Sequence, residues 1–125
     1  MRGLVYVAFL SIVILALGCV SPPKPTTTAT TLSRAESLQQ DSAFYRAAVS
    51  SSDISKCNQI AESRIKDICV RDIAVSSNKV NLCKSVAASD LKDTCYYKIA
   101  IKVKDKSLCN SITRDNIKQS CISNA

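Results

Sequence analysis

The sequence predicts an all-α protein, a short solenoid-like array of tandem disulfide-stapled αα-hairpins that follows a signal peptide and a disordered tether. Past Gly18 there is no Gly, and Pro occurs only at positions 22, 23 and 25. Tight β-hairpin turns therefore have almost none of the residues they need, and Ser, Asn and Asp turns between helices are expected. Six cysteines, at 57, 69, 83, 95, 109 and 121, are separated alternately by 12 and 14 residues, a period of 26. Between them apolar residues recur at the spacing of a helix face.

The first segment is an address. Arg2 precedes an apolar run over residues 4–17 (LVYVAFLSIVILAL), closed by Gly18-Cys19. A basic start, a short apolar core and small residues at the exit are the layout of a secretory signal peptide over residues 1–18. The run is shorter than the ~20 residues that span a bilayer comfortably, so cleavage is expected. An uncleaved signal anchor ending near Val20 is the alternative, and in both cases the rest of the chain faces outward from a membrane.

Residues 19–34 read as a tether. Three Pro and a cluster of Thr leave almost nothing to bury, a composition that cannot offset the entropy of ordering. No Asn-x-Ser/Thr sequon occurs in the chain, so O-linked sugar on this Thr-rich stretch is the expected glycosylation.

The remainder is organised by the repeat, with units at residues 50–75, 76–101 and 102–125. Ile60, Val86 and Ile112 follow the first Cys of each unit by three residues, and Ile65, Leu91 and Ile117 precede the second by four. Lys66, Lys92 and Lys118 align, as do Ile73 with Ile99 and Ala74 with Ala100. Each Cys sits mid-stripe on a predicted helix, and a polar break between the stripes offers Ser63, Ser89 and Asp115 as N-caps. Val70 with Ala74, and Tyr96 with Ala100, form a second stripe through which one hairpin stacks on the next. One period upstream, residues 35–49 read as a half-repeat helix: Asp41 aligns with Asp67, Phe44 with Val70, and Ala43 fills the Cys column. A terminal repeat that loses its Cys suits a lid.

Pairing of the six cysteines is constrained but not set by hairpin geometry. Cys57 and Cys69 are equidistant from Ser63, yet Cys69 and Cys83 are equidistant from Ser76. The array ends decide. Pairing between units leaves Cys57 facing Ala43 and Cys121 with no mate, whereas Cys57 to Cys69, Cys83 to Cys95 and Cys109 to Cys121 uses all six. Cys19 is then the odd cysteine.

Ala16-Leu17-Gly18-Cys19 resembles the lipobox of prokaryotic lipoproteins, with Ala16 where Leu is usual. That resemblance implies a lipidated Cys19 as the first mature residue. The repeat pattern C-x2-[IV]-x8-C with a trailing Ile-Ala resembles Cys-rich repeats of exported archaeal proteins, and a Thr-rich tether behind a lipobox is similar to archaeal surface lipoproteins. This implies a stapled helical array, and the resemblance carries no known activity.

Composition narrows the chemistry. The chain has no His and no Trp, which removes the commonest general base and the commonest zinc nitrogen ligand. The closest cysteines lie 12 apart, unlike the C-x2-C pairs of zinc sites and exchange enzymes. Structural disulfides are expected, with no metal, no cofactor and no catalytic residue. Neighbouring carboxylates such as Asp90 and Asp93 are read as solvent-facing charges at a helix start. The formal charge is +7, and Lys98, Lys102, Lys104 and Lys106 form a candidate basic patch for anionic headgroups, an envelope polymer or an acidic protein. Nucleic acid is disfavoured, because only Tyr96 and Tyr97 offer aromatics for stacking. The expected function is a non-catalytic surface lipoprotein that binds a partner or shapes the envelope. A thiol-based redox or metal-handling protein is the alternative.

Overall fold

The computed structural model describes residues 33–125. Everything predicted for residues 1–32, including the signal peptide, Cys19 and most of the tether, lies outside the described residues. Among these there are helices and no strand: α1 (Arg34–Ser51), α2 (Ile54–Cys57), α3 (Ser63–Ser77), α4 (Ser89–Val103) and α5 (Asp115–Asn124), with two 3-10 helices, η1 (Val80–Ser85) and η2 (Lys106–Ser111).

Helix α1 begins at Arg34, inside the boundary predicted for the tether. Ser33 caps α1: its hydroxyl accepts from the Glu36 N–H, and the Glu36 carboxylate accepts from the Ser33 N–H at 2.8 Å. This reciprocal box satisfies two donors that a helix start leaves without partners. The Ser33 N–H and hydroxyl together hold the Glu36 carboxyl below its ordinary value.

Each unit consists of one short helix, a turn and one long helix. The short element is one turn of α-helix in the first unit and about two turns of 3-10 helix, six residues, in the second and third, shorter than the predicted helical stripe. In the first and third units an Asp starts it. Asp53 accepts from the Ser55 N–H and hydroxyl, and Asp105 accepts from those of Ser107. In the middle unit Lys79 holds that place and makes no side-chain cap.

The long helices end alike and without Gly. Ser52, Asn78 and Lys104 adopt left-handed backbone at φ 52°, 55° and 59°, a conformation that Gly reaches without steric cost and other residues do not. Asp53, Lys79 and Asp105 then donate their N–H groups back to Ala48, Ala74 and Ala100 at 2.9–3.0 Å. Those three alanines are fully buried, so the chain reverses tightly against a methyl column that a larger side chain would overfill.

Disulfides join Cys57 to Cys69, Cys83 to Cys95 and Cys109 to Cys121, each with Cα atoms 5.7 Å apart. This is the within-unit pairing. All six cysteines are fully buried and lie in two apolar clusters centred on the junctions between units. One gathers α1 (Ala48, Phe44, Val49), the first unit, and Val86 and Leu91 of the second. The other gathers Ala74 and Val75 with the second and third units. The stacking stripe is as predicted: Val70, Ala74, Tyr96 and Ala100 are all buried.

Candidate functional site

The most heavily determined polar features sit at the junctions, and local capping rules do not reveal them. Ser63, Ser89 and Asp115 are the first helical residues, so the N-cap places fall on Glu62, Ala88 and Arg114. Glu62 caps α3 by accepting from the Ile65 N–H at 2.7 Å. The N–H groups just before each helix are met from the preceding unit. Asp41 accepts from Ala61 and Glu62 at 2.9 Å each. Asp67 accepts from Ala87 and Ala88 at 3.0 and 2.7 Å. Asp93 accepts from Thr113 and Arg114 at 2.8 and 3.1 Å.

Each carboxylate thus clamps the turn of the next unit with both oxygens. The three share one repeat column, and all are buried. Asp93 is therefore not the solvent-facing charge predicted from sequence. Its carboxylate also accepts from the Thr113 hydroxyl and forms an ion pair with Arg114 Nε at 3.0 Å. Burial pushes its carboxyl up, but the backbone and guanidinium donors outweigh that and hold it below the ordinary value. Buried carboxylates are tolerable only with such donors.

Asp90 faces outward and pairs with Arg64 one unit back, Nη2 to Oδ2 at 2.7 Å. That hydrogen bond lowers its carboxyl. Tyr45 donates to Asp72 at 2.8 Å, which raises the phenol's pKa. It stands on the wall of an open groove of roughly 610 Å³ between α1 and α3, lined also by Ser42, Arg46, Ile65 and Ile68.

No protein-family model, characterised protein or solved structure matches this chain. Its site residues stand on their own geometry.

The predicted basic patch is only partly a free surface. Lys98, Lys102, Lys104 and Lys106 are exposed, but Lys102 Nζ donates to the Val75 and Ser76 carbonyls at 3.1 Å each, filling acceptors that the end of α3 leaves without partners. Lys104 is the left-handed residue that ends α4. Through its two carbonyl contacts Lys102 fastens α4 to the last turn of α3, three residues before Lys79. The sequence patch did not include Lys79, because it lies 23 residues before Lys102. Tyr96 is buried and Tyr97 half-buried, so Tyr96 is not the exposed aromatic the sequence offered. Among the described residues no group of three or more His, Cys, Asp or Glu side chains is placed to hold a metal ion.

Proposed function

We propose that this chain is an exported surface lipoprotein, anchored through Cys19, whose stapled array serves as a non-catalytic structural or partner-binding module of the envelope. The observation that carries the reading is the complete pairing of the six repeat cysteines inside the core. Such disulfides persist in oxidising, extracytoplasmic surroundings. They also leave Cys19 as the one cysteine outside the stapled domain, directly behind an apolar leader. No helix among the described residues is long and apolar enough to cross a membrane, so attachment falls to the N-terminal segment. One acyl chain binds a bilayer only marginally, hence at least two are expected on Cys19.

Fractionation of cells producing Cys19→Ser tests the anchor. Release of the chain from the membrane is the expected result, and retention at full length points instead to an uncleaved signal anchor. Counting free thiols on the exported protein separates this reading from a thiol-redox role. None at the six repeat positions is expected, and readily reduced cysteines there would replace the structural reading with the redox one.

A further inference from the structure

We infer that the loop edge of the second and third units is a contact surface for an anionic lipid bilayer, with Lys79, Lys104 and Lys106 meeting headgroup charge and Val103 entering the interfacial layer. Charge is divided unevenly along the array. Residues 33–75 carry six basic and six acidic side chains, whereas residues 76–125 carry nine and four. The excess is concentrated around the end of α4, which Lys102 ties through two carbonyl contacts to the last turn of α3, three residues before Lys79. Lys79, Lys104 and Lys106 are exposed there with no hydrogen bond or ion pair from their ammonium groups among the described residues, and Lys98 lies one turn back on the same face of α4 as Lys102. Asp105 is the carboxylate within this edge, and one of its oxygens already accepts from Ser107.

Val103 decides between occupants. It is 43% exposed, among the few large apolar side chains so placed, and has Lys102 and Lys104 on either side. An acidic polymer would use the lysines and gain nothing from that side chain. A bilayer rewards both, because the interface accepts apolar groups while lysine stems lie along it and the ammonium groups reach the headgroups. The edge offers lysines and no arginine fork, which suits diffuse attraction to a charged surface better than capture of a single phosphate. The inference rests on the envelope reading, in that a chain already held at a membrane needs only weak further affinity to lie against it.

The test uses the full chain with its leader intact, reconstituted into vesicles of phosphatidylcholine alone or with one third phosphatidylglycerol. Attachment through the N-terminus is the same in both vesicle types, whether by leader or by lipid, so failure of Cys19 lipidation does not affect the comparison between them. Lysine acetylation is mapped by peptide mass spectrometry. The expected result is severalfold protection of Lys79, Lys104 and Lys106 in the anionic vesicles, lost at high salt, with Lys84 and Lys118 reacting equally in both. Each Lys→Gln change at 104 or 106 should weaken the protection of the remaining edge lysines about fivefold, and Val103→Ser should weaken it further without altering its salt dependence. Equal reactivity of the edge lysines in both vesicle types overturns the inference. So does protection by poly-L-glutamate added to neutral vesicles but not by the anionic bilayer, which would make the partner a polymer.

Discussion

At the first end of the array α1 presents Asp41 and Phe44 to the neighbouring unit, and at the last α5 carries Gln119 and Ile122 in the same repeat columns. Asp41 is buried and holds the next turn with both oxygens. Gln119 is exposed, and Ile122 is 36% exposed where Val70 and Tyr96 are buried. Cohesion in the array is therefore directional. The first two units each receive a carboxylate from the element before and present one to the element after, whereas the third only receives, so α1 supplies the first acceptor without needing a short helix or a cysteine of its own. Within units the bond is covalent. Between units it rests on the carboxylate clamps, the apolar stripe, the Arg64–Asp90 ion pair and the Lys102 contacts to the end of α3.

The largest effects should come from the staples, and their size should depend on position. Each closes a loop of 12 residues, worth about 3 kcal/mol in the chain-entropy account, against a total of about 5–15 kcal/mol for an ordinary domain. The middle unit touches both neighbours. Cys83→Ala with Cys95→Ala should therefore abolish a single cooperative transition, whereas Cys109→Ala with Cys121→Ala should fray mainly the last unit. Thermal unfolding followed by circular dichroism, with hydrogen exchange per helix, distinguishes the two. Identical melting and uniform exchange in both variants would mean that the units are not energetically separate.

The clamp column gives the next effect. Asp93→Ala leaves two backbone N–H groups and Arg114 without their acceptor, and should cost about 3 kcal/mol. Gln119→Ala, in the same column, should change stability by less than about 0.5 kcal/mol. Acid should act in the same way. The Asp93 carboxyl is held below its ordinary value, so its contribution is present above the unfolded carboxylate range near pH 4 and is lost as pH falls through the lowered folded value. Denaturant titrations from pH 7 to pH 2 should show a larger acid loss in the native chain than in Asp93→Asn. Parallel curves would rule out this residue as a main source of acid sensitivity.

The smallest expected change is a gain. Lys104→Gly removes the side-chain conflict at φ 59° and should stabilise by up to about 1 kcal/mol. Asn78→Gly should give only a few tenths, since Asn tolerates that conformation best among non-Gly residues. Melting temperatures of the two variants check the order, and a loss at Lys104 would show that its side chain contributes more to folding than its exposure suggests.

What could be read from the sequence was whatever repeats in register. The 26-residue period, the helix stripes and the cysteine pairing all follow from residues that recur one column at a time, with the array ends removing the competing pairing. The turn contacts were hidden for a physical reason. Capping signals are sought within three or four residues of a helix start, which nominates Ser63, Ser89 and Asp115; Glu62 caps α3 locally, but the acceptors for the turn N–H groups before each helix lie 20 and 21 residues upstream. The recurrence of Asp at 41, 67 and 93 was visible in the alignment, but it resembled ordinary surface acidity until the backbone placed it indoors. Lys79 likewise falls outside the sequence patch, because the Lys102 contacts that bring the end of α3 to α4 span 26 and 27 residues.

Within-unit stapling also fixes how the array would respond to pulling. Force applied between the two ends of the array would first part the junctions, which have no covalent cross-link beyond the chain itself. Each parted unit could then pay out only the chain outside its bridged loop. At about 3.4 Å per extended residue, the three loops together withhold on the order of 100 Å of length. The array would lengthen in short steps that close again when the load is released, and only a reductant would let it run to full extension.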